Sequence, residues 1–218
     1  MTRRELIEML ETGETYQIEF KEKFSSFEKI AKEMIAFANS SGGHIIFGIR
    51  DNKKIIGVDS EKTIADLVEK TVRDFTEPVI EYKIFYYDLD NKEIVTIEIP
   101  ESSNKPHRIQ DYKPSLDMNT AQVFVRVNDK SVPASKEMIK LLKMRSEDKE
   151  LHKYKVGSLE RTVFEQFEKN EIITVKMLAE CANISNRRAS RTLINMLRAG
   201  LINIHTKDNG ENYFTNNS

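Results

Sequence analysis

The sequence predicts an α+β protein, in which a mixed-sheet N-terminal domain precedes a winged helix-turn-helix domain. Two periodicities indicate this class, because apolar residues alternate with polar ones at 16–21 but recur at helical spacing at 27–38. The C-terminal part then shows three helical patterns and two short strand patterns around Asn209-Gly210. We expect domains at 1–145 and 158–218, joined by a charged linker at 146–157.

Composition excludes several classes of protein. The chain has 218 residues, 34 Lys+Arg against 35 Asp+Glu, and one cysteine. Its length suits one large or two small domains, and it has no apolar run near the roughly 20 residues of a membrane span. Because Cys181 has no cysteine partner and no Cys/His cluster is present, we expect neither a disulfide within the chain nor zinc. These features predict a cytoplasmic protein without a cleaved signal or a membrane partner.

Capping residues and hydrophobic alternation predict the first elements of the N-terminal domain. Thr2 can cap a helix that Gly13 ends, and Ser25 with Glu28 forms a capping box for the next helix. The strand at 16–21 alternates, so Glu19 and Lys21 are expected on the face opposite the core.

The following segments predict further strands and helices. Residues 44–49 and 55–58 suggest one hairpin, 80–87 and 93–99 another, and Ser60 opens a helix between them. Residues 101–121 are expected to form a long loop, followed by a strand at 122–127 and a helix at 135–145.

The third C-terminal helix is the main candidate for nucleic-acid binding. Ser185 caps it, and Asn186, Arg187, Arg188 and Arg191 lie where recognition helices contact duplex DNA. Arginine can pair with guanine and asparagine with adenine, while Lys207 near the hairpin tip can contact phosphate. The alternative is a solvated basic face on a module used for protein contacts.

Several separated motifs resemble the Schlafen AlbA_2 domain family. They are the runs 13–21 and 35–51, Ile56-Gly57-Val58, Val125-Arg126-Val127 and 132–135, which together span about residues 5–140. In bacteria such domains are joined to C-terminal winged helices in transcriptional regulators. The resemblance therefore implies a DNA-binding regulator. We expect a homodimer, since two-fold symmetry doubles the DNA contacts, and Lys21 and Lys23 can form a second nucleic-acid surface.

The same resemblance implies two other activities. The family was once described as a divergent AAA ATPase, but Gly42-Gly43 follows a helix and precedes a strand, the reverse of a phosphate-binding loop. ATP binding is therefore the weaker alternative, and the glycine pair suggests a helix cap and tight turn.

Nuclease activity is the main alternative. Catalytic Schlafen domains use two glutamates and one aspartate, and Glu14, Glu19 and Asp51 match those positions. Such a trio would bind Mg²⁺ or Mn²⁺ and cleave RNA, provided that the chain bends near Glu14, and Glu19→Gln would then abolish cleavage without unfolding the protein. Otherwise Glu19 pairs with Lys21 or an arginine on a solvated face, and Asp51 begins a turn. The sequence leaves open whether the chain is an enzyme, and a purely protein-binding adaptor is the third hypothesis.

Overall fold

The computed structural model describes residues 1–146 and 154–217. Their contacts divide the chain into two compact units, Met1–Ala134 and Ser135–Ser218. Among the described residues, no helix is both long and apolar enough to cross a membrane.

The first unit combines helices with a mixed sheet, as the sequence predicts. In chain order its elements are α1 (Arg3–Thr12), β1 (Ile18–Lys21), α2 (Phe27–Asn39), β2 (Gly43–Phe47), α3 (Glu61–Phe75), β3 (Thr76–Glu77), β4 (Lys83–Leu89), β5 (Lys92–Ile99), β6 (Arg108–Ile109), β7 (Phe124–Val127) and β8 (Lys130–Pro133). The main sheet has the order β1-β2-β5-β4, with β1 parallel to β2 and the other pairs antiparallel. Strands β3 and β6 form a separate pair, as do β7 and β8.

Both faces of the main sheet are covered. Ile45 and Phe47 of β2 belong to the core formed with α2 and α3, whereas Ile46 between them packs with Leu6 of α1. This explains why residues 44–49 form an almost continuous apolar run. The alternation of β1 is real, but its polar face is not solvated, because Glu19 is only 8% exposed.

Three expectations about the first unit need correction. Helix α2 is capped by Ser26, whose side chain accepts from the Lys29 amide, and not by Ser25. The hairpin of 44–49 with 55–58 is reduced to a bridge between Ile49 and Ile55, because β1 and β5 occupy the two edges of β2. Strand β8, which pairs with β7, was not expected.

The expected loop at 101–121 is anchored in the domain by its first half, whereas residues such as Tyr112 remain exposed at the surface. His107 and Arg108 are 2% and 6% exposed, and Arg108 lies in β6. The Asn39 side-chain amide donates to the carbonyls of His107 and Phe124, both at 2.9 Å, and its oxygen accepts from the His107 amide at 2.8 Å. One buried asparagine at the end of α2 thus fixes two distant segments.

The second unit contains the expected three helices and hairpin, preceded by a further helix. Its elements are α4 (Lys136–Ser146), α5 (Ser158–Phe167), α6 (Val175–Cys181), α7 (Asn186–Arg198), β9 (Ile202–Thr206) and β10 (Asn212–Asn216). Leu178, Leu193 and Phe214 lie in its core, so α6, α7 and the hairpin share one interior.

The division between the units differs from the expected domain limits. It falls after Ala134, so α4 groups with the C-terminal unit and not with the N-terminal domain. Two hydrogen bonds give the reason: the Ser190 hydroxyl of α7 donates to Glu137 of α4, and Asn212 of β10 donates to the Ser135 hydroxyl. Most of the expected linker at 146–157 lies outside the described residues.

Candidate functional site

Helix α7 presents a basic surface at its N-terminal end. The Ser185 side chain accepts from the Arg188 amide and so caps the helix. The four candidate contact residues are all exposed: they are Asn186, Arg187, Arg188 and Arg191. The opposite side of the helix is buried through residues such as Leu193 and Met196.

The arginines of this surface keep their charge available for a ligand. The first turn of α7 contains no acidic residue. Within residues 1–146 and 154–217, no ion pair engages Arg187, Arg188 or Arg191. Because a helix N-terminus also favours anions through its free N–H groups and dipole, this end of α7 suits phosphate.

The hairpin places Lys207 near its tip, as expected. Its Nζ lies 4.0 Å from a Glu211 carboxylate oxygen, and the side chain is 48% exposed. Such an exposed pair is weak, so Lys207 can exchange Glu211 for another anion.

The inner side of α7 is tied to α4 by a polar contact that the sequence did not reveal. Ser190 is 2% exposed, and its hydroxyl donates to Glu137 Oε1 at 2.7 Å and accepts from Lys140 Nζ at 2.9 Å. From the sequence, Ser190 is simply one of several polar residues on an amphipathic helix. Its burial becomes evident only when α4 is seen to pack against it.

The bend that the nuclease hypothesis needs is present at Glu14. The Thr15 and Ile18 backbones bond to each other in a tight turn, and this brings Glu14 Oε1 to the Phe20 amide at 2.9 Å. Burial raises the pKa of Glu14 above its usual value, and the charges of Glu19 and Asp51 raise it further. Glu19 and Asp51 therefore lie near enough to Glu14 for their charges to affect it.

Glu19, however, is engaged by cations of the chain itself. Arg126 Nη1 donates to Glu19 Oε2 at 3.0 Å, and Lys21 Nζ contacts Glu19 Oε1. The Arg126 side chain has no exposed surface, and it also binds Glu33 at 3.2 Å and the Thr15 carbonyl at 2.9 Å. The predicted pairing of Glu19 with a lysine or an arginine is thus present, but it is buried.

The trio does not fit a Mg²⁺ or Mn²⁺ site as the structure arranges it. No three His, Cys, Asp or Glu side chains in the described part of the chain are grouped so that they could hold a metal ion. Asp51 lies in an exposed turn, and both Glu19 oxygens already contact cationic side chains. A divalent ion would have to displace Lys21 and compete with Arg126.

The second basic surface is smaller than expected. Lys21 contacts Glu19 and its side chain is only 24% exposed, whereas Lys23 is exposed. Arg126 was missed as a key residue, although it stands in the quoted motif Val125-Arg126-Val127. An arginine between two β-branched residues is the signal that could have indicated a buried charge in a strand.

Gly42 and Gly43 form a turn after α2. Gly42 has φ +71° and its amide donates to the Phe37 carbonyl at 3.0 Å, an arrangement typical of helix C-termini. A side chain at Gly43 would collide with the Phe37 ring. The pair therefore serves the close approach of β2 to α2.

Comparison with known proteins gives partial matches to relatives. A protein of Ureaplasma parvum serovar 3, named Uncharacterized ATP-binding protein UU034, is 35% identical over 91 residues, which are 39% of this chain and 26% of that protein. The chain thus spans about a quarter of the length of this relative.

Solved structures also match this chain at low similarity, among them two from Corynebacterium diphtheriae and Nitrosomonas europaea. The DIP2311 protein from Corynebacterium diphtheriae has 19% identity and a TM-score of 0.40, covering 55% of this chain and 25% of that one. The N-terminal domain of a RecG-related protein from Nitrosomonas europaea has 22% identity and a TM-score of 0.40, covering 51% and 81%.

The family itself is established by the sequence profile described as Schlafen, AlbA_2, which matches residues 14–135. This range includes the bend at Glu14, the Arg126 network and the glycine turn, and it ends next to the division between the two units. The chain therefore belongs to the Schlafen AlbA_2 family.

Proposed function

We propose that the protein is a DNA-binding transcriptional regulator that contacts duplex DNA through α7. One observation carries the proposal: Arg187, Arg188 and Arg191 are exposed at the N-terminal end of a capped helix, and no ion pair in the described chain engages them. Exposed arginines that no ion pair engages can bind DNA phosphates and the edges of bases.

The surrounding elements support the same role. Helix α7 is preceded by α6 and followed by a two-stranded hairpin that carries Lys207, which is the order of a winged helix-turn-helix. Asn186 is in the first turn, where recognition helices contact bases. Membership of the AlbA_2 family is consistent with nucleic acid as the partner.

The proposal includes a homodimer. Three arginines on α7 and one lysine near the hairpin tip make few phosphate contacts, and a two-fold pair of such surfaces would double them. In the N-terminal domain, Lys23 is the exposed candidate for an additional contact with DNA or RNA, since Lys21 is bound to Glu19.

The test is a gel-shift titration of the full-length protein with duplex DNA. The double variant Arg187→Ala and Arg191→Ala should lose most of the salt-sensitive binding, while Arg161→Ala, an exposed arginine on α5, should retain it. Equal affinity of the wild-type protein and the double variant would overturn the assignment of α7.

Metal-dependent RNA cleavage is the second candidate function. Burial and the charges of Glu19 and Asp51 raise the pKa of Glu14, which is the one observation in its favour, whereas the described residues include no group of carboxylates arranged to hold a metal ion. The same gels should therefore contain structured RNA, with Mg²⁺, with Mn²⁺ or with EDTA. Cleavage that requires metal and disappears in Glu14→Gln and Asp51→Asn would establish the enzyme, whereas no binding to any nucleic acid would favour a protein-binding adaptor.

A further inference from the structure

Strand β4 forms one edge of the main sheet, and in the described part of the chain β5 is its only neighbouring strand. The opposite edge, at β1, is covered by the chain itself, because Glu14 Oε1 accepts from the Phe20 amide at 2.9 Å. Within residues 1–146 and 154–217, no hydrogen bond outside the β4–β5 ladder engages the backbone of β4. An edge of this kind can accept a further strand.

The turn between β4 and β5 shows which backbone groups face outward. Asp90 and Asn91 have φ values of 54° and 58°, as in the two-residue turn of a tight hairpin, and Leu89 and Lys92 beside them form the first hydrogen-bonded pair. Hydrogen-bonded and non-hydrogen-bonded pairs then alternate along an antiparallel ladder. The N–H and C=O groups of every second residue of β4 therefore point away from β5. These residues are Ile84, Tyr86 and Asp88.

The middle of β4 lacks the features that usually prevent the pairing of an edge strand. Proline, lysine and bulges are common protections. Residues 84–87 have the sequence Ile-Phe-Tyr-Tyr and a regular register with β5, none of the four side chains is fully buried, and Tyr86 is 47% exposed. Aromatic and β-branched side chains stabilise cross-strand pairs. The side chains thus favour a second strand at this edge.

Strand β4 is complementary to itself. In an antiparallel pair of two copies with Phe85 on the two-fold axis, the outward backbone groups of Ile84 meet those of Tyr86 from the second copy. The two Phe85 side chains then lie directly opposite each other and can pack as an aromatic pair. An axis at Tyr86 would instead place the apolar Ile84 opposite the carboxylate of Asp88, which is a poorer contact.

The charged residues of β4 suit the same register. Asp88 would face Tyr82 of the second copy. Burial and the charge of Glu69 raise the pKa of Tyr82, so its hydroxyl keeps the proton and can donate to that carboxylate. Lys83 would face Tyr87, which is uncharged. Neither contact places like charges opposite each other.

The other charges around β4 lie outside these pairs. Lys83 Nζ is 3.6 Å from a carboxylate oxygen of Glu98 in β5, and Arg73 Nη1 is 3.9 Å from one of Glu69, so both of these carboxylates already have a cation beside them. Glu81 and Asp90 lie beyond the two ends of the strand, where this register places them opposite the apolar Leu89 and Ile80. No carboxylate is therefore brought opposite another carboxylate.

We infer that two copies of the chain pair through their β4 edges, antiparallel and with Phe85 on the two-fold axis, so that the two main sheets become one continuous sheet. The interface gives a location to the homodimer of the proposed function, and it rests on that function only for the expectation of a second copy. It needs no DNA, so binding of duplex DNA by α7 is tested separately.

The first experiment is sedimentation velocity of the full-length protein without DNA, from about 1 to about 100 μM, a range that detects weak association. We expect a dimer. Tyr86→Lys should weaken dimerisation at least about tenfold, because it places a lysine in the middle of the edge. Tyr112→Lys is the matched control, since Tyr112 is 83% exposed and lies outside β4. A monomeric wild-type protein, or equal dimerisation of the two variants, would overturn the inference.

Disulfide cross-linking tests the register. After replacement of the exposed Cys181 by serine, Phe85→Cys should form a covalent dimer when oxidised with diamide, because opposite residues of a non-hydrogen-bonded pair have Cα atoms about 4.5 Å apart. Tyr86→Cys should cross-link far less, since Tyr86 would face Ile84. Non-reducing gels measure the yield.

Each outcome of the cross-linking separates the interface from the dimer itself. Cross-linking at residue 86 and not at residue 85 would overturn the register. A dimer that cross-links at neither position would use another surface, which overturns the inference and leaves the homodimer of the proposed function intact. Circular dichroism should show native folding of Phe85→Cys, and Tyr86→Lys tests the edge should that variant unfold.

Discussion

Arg126 Nη1 and Glu19 Oε2 form a buried ion pair of 3.0 Å in the N-terminal domain. The guanidinium has no contact with solvent, and it also binds Glu33 and the Ser131 hydroxyl, while its Cζ atom lies 4.6 Å from the centre of the Phe37 ring. Because a buried charge without a partner is costly, each of these groups depends on the others. Glu19 thus stabilises the fold by neutralising Arg126, a role that its match to a catalytic motif does not suggest.

Replacing Glu19 by Gln should destabilise the protein. The amide cannot neutralise Arg126, so we expect the free energy of unfolding to fall by about 3 kcal/mol, the scale of breaking a buried ion pair. Urea unfolding followed by circular dichroism measures this change. The nuclease hypothesis predicts instead that Glu19→Gln folds as stably as the wild-type protein, so this measurement distinguishes the two expectations.

The matched control is Glu22→Gln. Glu22 pairs with Arg50 at the surface, where both side chains are 45% exposed, so its loss should change stability little. If Glu19→Gln proved as stable as the wild-type protein but lost a metal-dependent activity, Glu19 would be a metal ligand after all.

Asn39→Ala should loosen the segment at 101–121. The side chain makes three buried hydrogen bonds, to the backbones of His107 and Phe124, and each is worth roughly 1 kcal/mol. We expect a loss of about 3 kcal/mol and faster hydrogen exchange at residues 105–110. Asn52→Ala, in the exposed turn at 50–53, is the control, and equal exchange in the two variants would contradict the prediction.

The sequence predicted the elements that local patterns determine. The helix starts predicted at Thr2, Ser60 and Ser185 are present as caps, because each depends on a side chain and an amide three residues away. The hairpin of β4 and β5 and the exposed N-terminal end of α7 follow from similarly short-range signals.

Long-range contacts decided the remaining features. Glu19 is buried because β7 brings Arg126 beside β1, from 107 residues further along the chain. The part of the loop around His107 is buried because Asn39, which lies 68 residues earlier in the chain, binds its backbone. Alternation along one strand shows which residues share a face, but it does not show what covers that face.

Ser190→Ala should weaken the attachment of α4 to α7. The hydroxyl bonds to both Glu137 and Lys140, and hydrogen bonds to charged groups contribute about 2 kcal/mol. We expect a loss of about that size in the unfolding of the C-terminal unit, measured by urea titration. Ser158→Ala, at an exposed position in α5, should have no effect, and a loss equal in both variants would show that the contact contributes nothing.

The stability of the N-terminal domain should fall as the pH drops below about 6.5. Burial lowers the pKa of His107 and of His44 below the ordinary value of 6.5. Below that value the unfolded chain binds protons that the folded protein excludes, so their contribution to stability is complete above pH 6.5 and is lost on acidification. Urea unfolding at about pH 7.5 and about pH 5.5 measures the difference. The double variant His44→Gln and His107→Gln should be less stable than the wild-type protein at both pH values, but its stability should change less between them. If its stability changed with pH as much as that of the wild-type protein, other groups would cause the pH dependence.

Removal of the α7 arginines should change the salt dependence of DNA binding and not only its strength. Each phosphate contact contributes about 0.9 to the slope of log K against log salt concentration, because binding releases counterions from the duplex. If Arg187 and Arg191 both contact phosphate, their joint replacement by Ala should reduce the slope by about 2, whereas Arg161→Ala should leave it unchanged. If instead Arg187 contacts a guanine edge, its single replacement should lower affinity for the specific site without changing the slope. Fluorescence anisotropy over a series of salt concentrations separates the two modes of contact, and an unchanged slope together with an unchanged affinity in the double variant would remove α7 from the interface.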